Sequence, residues 1–147
     1  MIPEPGRTTP TALPRVDLHS VLVPASREAV WTALEEYVAQ SLLLPERALL
    51  GRALGTRPRA GFEVTGSVPE QRLELAGRHR FARYRLTFEL ADGPGGTTEL
   101  RAVTDAAFPG VHGRAYRVLV ISSGGHAVVT NRILRLVRRR AVHRVAA

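Results

Sequence analysis

The 147-residue sequence has no cysteine and no lysine. Without cysteine there are no disulfides, thiolate nucleophiles or cysteine-ligated zinc and iron-sulfur sites, so stability must come from packing and hydrogen bonds. A reducing cytoplasm fits that composition. Without lysine, all 21 basic residues are arginine, against 13 acidic residues, and the net charge is +8. Abundant arginine, alanine, glycine and proline point to a G- and C-rich coding sequence, which raises charge without selection for function. Aromatic residues are only 5%. The positive charge therefore lacks the interleaved stacking residues of nucleic-acid binders, and no specific nucleic-acid partner is expected. Long apolar runs are also missing: the stretch Val118 to Ile121 falls far short of the roughly 20 residues a membrane-spanning helix needs. The segment MIPEPGRTTPTALPR shows neither a positive cluster followed by an apolar stretch nor a small-residue cleavage pattern, so secretion is not expected.

What is present is enough for one domain: 16.0 kDa with 44% hydrophobic and 23% charged residues, near the average for folded globular chains. Residues 1–15 carry Pro3, Pro5, Pro10 and Pro14 and read as a flexible tail. A strand is expected from Val16 to Val23, ended by Pro24. Ser26 then stands as helix N-cap, with Glu28 in the first turn. Ala29, Val30, Ala33, Leu34, Tyr37 and Val38 recur at helical spacing, and Trp31 starts the buried side of this helix. Pro45, Gly51, Gly55 and Pro58 break up the next stretch, where a short helix or loop and a weak strand near Leu49 to Leu54 are expected.

After Gly61 the period changes to two. Phe62 and Val64, then Leu73 and Leu75, then Phe81 and the series Tyr84, Leu86, Phe88 and Leu90, then Leu100, Ala102, Thr104, Ala106 and Phe108 read as consecutive antiparallel strands. Turns are expected at Gly66 to Pro69, near Gly77 and at Ala91 to Gly96. The alternate positions hold Glu74, Arg83, Arg85, Thr87, Glu89, Glu99 and Arg101, so one sheet face is wet and the other dry. Past Gly110 a helical stripe follows: Ala115, Val118, Leu119, Ser122, His126, Val129, Ile133, Leu136 and Val137. Ser122 to Gly125 interrupts this long helix with poor helix formers and is expected to bend it.

Strand, helix, antiparallel meander and long final helix leave few compact solutions. The expected fold is α+β of the helix-grip type, a curved antiparallel sheet wrapped on a long C-terminal helix over residues 16–140, with 141–147 as a tail. The segments VLVPASREAVWTALEEY, PEQRLELAGRHRFARYRLTFEL, TTELRAVTDAAF and AYRVLVISSGGHAVVTNRILRLVRR resemble the START/polyketide-cyclase (SRPBCC) superfamily. That resemblance implies a helix-grip domain with a cavity between sheet and last helix. Its members include lipid carriers, hormone receptors, aromatase/cyclases and proteins without an assigned activity.

The dry side of sheet and helix supplies the candidate ligand-binding residues Tyr84, Phe88, Phe108, Val118, Ser122, His126 and Val129. His126 and Tyr84 can also be read as ordinary core residues. His19, His79, His112, His126 and His143 show no metal-ligand spacing, so neither metal nor other cofactor is expected. Glu63, His79 and Asp105 lie on strands whose facing the pattern does not fix. Arg78, Arg80, Arg83 and Arg85 form a positive stretch, read as a solvated face. The leading expectation is noncatalytic binding of a hydrophobic small molecule, lipid-like or polyketide-like. An aromatase/cyclase-type enzyme is one alternative. Another is an interaction module in which Arg135, Arg138, Arg139 and Arg140 meet nucleic acid or make weak contact with an anionic membrane.

Overall fold

The computed structural model describes residues 12–43 and 61–147. Strand β1 (Arg15–Val23) leads into helix α1 (Arg27–Tyr37), which continues into a wider π-helical turn over Val38–Leu42. Ser26 caps α1 as expected, its Oγ accepting from the Ala29 N–H at 3.2 Å. Strands β2 (Glu63–Val68), β3 (Arg72–His79), β4 (Ala82–Asp92) and β5 (Thr98–Ala107) follow as a meander. The chain then forms helix α2 (Gly110–Arg117), a second π-helical turn (Val118–Ser122) and the long helix α3 (Gly125–Val145).

All neighbouring strands pair antiparallel in the order β1-β5-β4-β3-β2, so β1 closes beside the end of the meander. The dry face holds Leu73, Leu75, Leu86, Phe88, Leu90, Leu100 and Ala102, packed against Val30, Trp31 and Leu34 of α1 and Ile133, Leu134 and Val137 of α3. Both helices are needed to cover it; α1 packs on α3 while each reaches strands of the sheet. The opposite face carries ion pairs: Arg72 and Arg85 approach Glu74 at 2.8 and 3.6 Å, Arg101 meets Glu99 at 2.8 Å, and Arg15 meets Asp105 at 3.2 Å. Such exposed pairs add little stability each, but they give the wet face its character.

Several sequence-based boundaries shift. The turn expected near Gly77 falls instead at Arg80 and Phe81, with Gly77 inside β3 opposite Tyr84. A Cβ at Gly77 would collide with the Gly61 carbonyl and lie 2.7 Å from the Tyr84 ring, so this glycine serves close approach rather than chain reversal. The N-terminal tail ends earlier than residue 15, because Arg15 is in β1 and the Pro14 carbonyl accepts from the Ala106 N–H at 2.9 Å. The helix runs on beyond residue 140 to Val145, and Ala141 is fully buried. Residues 1–11 of the expected tail and the strand expected near Leu49 to Leu54 lie outside the described residues.

The C-terminal stripe also needs correction. From Ile133 onward the helical spacing holds, with Ile133, Leu134, Val137 and Ala141 buried. Before Gly124 it does not: Val118 and Leu119 are 63% and 71% exposed, and the inward positions are Gly113, Tyr116 and Val120. The π turn adds backbone per turn, and Gly124 at φ +73° resets the chain direction, so one 3.6-residue phase cannot run through both segments.

Candidate functional site

The sheet's dry face extends past the packed core, and there it is hollow. Ala82, Tyr84 and Leu86 of β4 and Thr104 and Ala106 of β5 form the floor of a cavity of about 230 Å³. Phe62, Phe108 and Val16 stand at its sides, and Tyr116, Val120, Ile121, His126, Val129, Thr130 and Ile133 roof it. Val16 reaches it through a β-bulge: Arg15 pairs with Asp105 and Asp17 with Thr104, leaving Val16 as the extra residue.

One corner is polar. His126 Nε2 lies 3.1 Å from Thr104 Oγ1 and 3.4 Å from Asp17 Oδ2, and the same Asp17 oxygen lies 3.1 Å from His19 Nε2. As a carboxylate Asp17 can only accept, so His19 presents its N–H at Nε2. That assignment leaves His19 Nδ1 free to accept from the Asn131 amide at 3.3 Å. Thr130 Oγ1 donates to the His126 carbonyl at 3.0 Å and fixes the ring's own turn of helix. The second Asp17 oxygen, Oδ1, is buried with no hydrogen-bond partner. A histidine backed by a carboxylate at the wall of an apolar cavity can hydrogen-bond a ligand's hydroxyl or carbonyl, or exchange a proton with it.

Tyr84 lies on the cavity floor, paired with Ala106 of β5. Its hydroxyl donates to the Gly61 carbonyl, and its ring meets Phe62 edge-on at 5.1 Å. Burial, with a smaller contribution from Tyr116, pushes its pKa up to about 12, so the hydroxyl stays a proton donor at neutral pH. His79, whose Nδ1 accepts from the Phe81 N–H at 3.1 Å, sits among Phe81, Tyr84 and Tyr116. Burial holds its pKa below the ordinary 6.5, in keeping with a neutral, accepting ring.

Of the residues predicted from sequence, Tyr84, Phe108, His126 and Val129 are brought together around the cavity. Phe88 is not among them; it is 0% exposed in the solid core. Val118 points to solvent, for the phase reason given above. Ser122 closes the π turn. Asp105 is turned to the wet face with Arg15, Glu63 is exposed, and Trp31 is core. Sequence reasoning missed Asp17, His19, Thr104, Thr130 and Asn131. The available signal was the Asp17-x-His19 spacing, which puts two polar groups on one side of a strand whose later residues on that side, Val21 and Val23, turn inward. Of the terminal arginines, Arg140 bonds Gln40 at 2.9 Å and lies over the Tyr37 ring, Arg135 bonds the Asn131 carbonyl, and Arg138 and Arg139 are exposed. Among the described residues no group of histidine, aspartate and glutamate is arranged to hold a metal ion, and no helix is long and apolar enough to cross a membrane.

No family model and no curated protein matches this sequence. Solved structures do. An aromatase/cyclase of Streptomyces sp. R1128 superposes with a TM-score of 0.57 at 13% identity, covering 88% of this chain and 94% of the other. A protein of Mesorhizobium loti gives 0.54 at 17% identity, with coverages of 86% and 98%. A conserved protein of Geobacillus kaustophilus gives 0.53 at 14% identity, with coverages of 86% and 94%. At these identities the likeness speaks for architecture alone. The chain has the α+β helix-grip fold found in an aromatase/cyclase and in conserved bacterial proteins.

Proposed function

We propose that this protein binds a hydrophobic small molecule, polyketide-like or lipid-like, in the cavity between β4, β5 and the start of α3, without covalent chemistry. The observation that carries the reading is a largely apolar cavity with a polar corner, Thr104, His126 and Thr130, at its wall. Apolar lining supplies affinity and the corner orients one polar group of the ligand. At about 230 Å³ the space exceeds the roughly 150 Å³ cavity that accepts benzene, which favours a ligand presenting a one- or two-ring body to this wall. The cysteine-free sequence is in keeping with action in the cytoplasm. The test is titration with an environment-sensitive naphthalene fluorophore: the native chain should bind it with blue-shifted emission, and Ala106→Phe, which fills the floor, should abolish binding while the fold persists by circular dichroism. Equal binding by Ala106→Phe would overturn the reading.

The carboxylate-backed imidazole favours a second reading, an aromatase/cyclase-type enzyme in which His126 moves protons on a bound poly-β-carbonyl chain, with Asp17 orienting the ring. Cyclised product from such a chain, lost in His126→Ala and reduced in Asp17→Asn, would support it. Product formation unchanged in His126→Ala would remove it.

A further inference from the structure

The net charge of +8 is confined to one end of the chain. All 13 acidic residues lie at or before Asp105, balanced by 13 arginines over the same span; the remaining eight arginines follow with no acidic residue among them. Within this acid-free end, α2 and the π turn after it carry the exposed apolar residues Val111, Val118 and Leu119, each at least 63% accessible. Val111, Ala115 and Val118 follow at i, i+4 and i+7 and share one outward face. Arg114 and Arg117, both exposed, flank it. The inner side of the same segment, through Tyr116, Val120 and Ile121, roofs the cavity.

We propose that this outward face docks on an anionic lipid bilayer and brings the cavity's roof to the membrane surface. Apolar side chains enter the headgroup region while arginines meet lipid phosphates, and no carboxylate on the segment opposes them. The charge decides against other occupants. A second copy would oppose like charges across a two-fold axis. A nucleic acid would leave the valines and leucine against phosphate with no exposed aromatic to stack on bases. The surface lies on α2 rather than on the later arginine run, where Arg135 and Arg140 already serve intramolecular bonds.

The experiment is vesicle flotation of the full chain. Binding is expected to vesicles of phosphatidylglycerol mixed with phosphatidylcholine, not to phosphatidylcholine alone, and to weaken as salt rises. Arg114→Ala with Arg117→Ala should lower partitioning about 30-fold, and Val111→Ser with Leu119→Ser should also release the protein. Neither pair should change fluorophore binding to the cavity, so this surface and the cavity reading fail separately. The proposal is overturned by equal binding to neutral vesicles, by loss confined to Arg138→Ala with Arg139→Ala, by binding to a DNA duplex but not to vesicles, or by a dimer that Leu119→Ser dissociates.

Discussion

One sheet face has two halves that the same alternation builds and that end differently. Along β4 the inward residues are Tyr84, Leu86, Phe88 and Leu90; along β5 they are Leu100, Ala102, Thr104 and Ala106. Around Phe88 and Leu100 the space above the sheet is filled by Trp31, Leu34, Leu134 and Val137. Around Tyr84 and Ala106 it is hollow. The strands do not account for the difference. The filled half is covered by α1, the π-helical turn that continues it and the middle of α3, whereas the hollow half is covered by α2, the second π turn and the first turns of α3. The same alternating face becomes core under one cover and cavity under the other.

Truncating large side chains gives the largest contrast. Phe88→Ala should cost about 3–5 kcal/mol in urea unfolding, while Phe108→Ala, beside existing empty space, should cost under half as much; equal costs would break the distinction. Enlargement reverses the sign of the test. Ala102→Leu, into the filled half, should cost about 1–3 kcal/mol, and Ala106→Leu, four residues along the same face, should be close to neutral and narrow the cavity. A substitution at Gly77 sharpens the boundary of the hollow half, since a Cβ meets the Tyr84 ring and the Gly61 carbonyl: Gly77→Ala should destabilise by about 1–3 kcal/mol, and pairing it with Tyr84→Ala should recover part of that loss.

The smallest effect concerns pH. His79 is buried enough to titrate below 6.5 when folded, so its contribution is present above that pH and lost as pH falls through the lowered folded value, where the unfolded chain takes up the proton first. His79→Phe should flatten the fall in urea midpoint between pH 7 and pH 5; an unchanged slope would mean that other groups carry it.

Sequence pattern revealed the architecture because alternation and helical spacing are local. The meander from Glu63 to Ala107, the Ser26 cap and the buried stripe from Ile133 to Val137 follow from neighbours a few residues apart. The site was legible in part. Tyr84, Phe108, His126 and Val129 could be placed because each follows the local period. Asp17 could not be joined to His126, because a sequence separation of 109 is closed only by the pairing of β1 with β5 and the packing of α3 on β1. Val118 was misdirected because the π turn, stabilised by no recognisable residue pattern, changes phase unannounced. Gly77 read as a turn because glycine signals reversal and close packing alike.

The extra residue in β1 has a consequence for how this wall tolerates change. Because Arg15 and Asp17 already face consecutive partners on β5, excising Val16 would leave an uninterrupted ladder, with Asp17 and His19 still turned toward α3. Loss of one residue elsewhere in β1 would invert the directions of everything on one side of the gap. Codon 16 is thus a place where a deletion widens the chamber and leaves its polar corner standing.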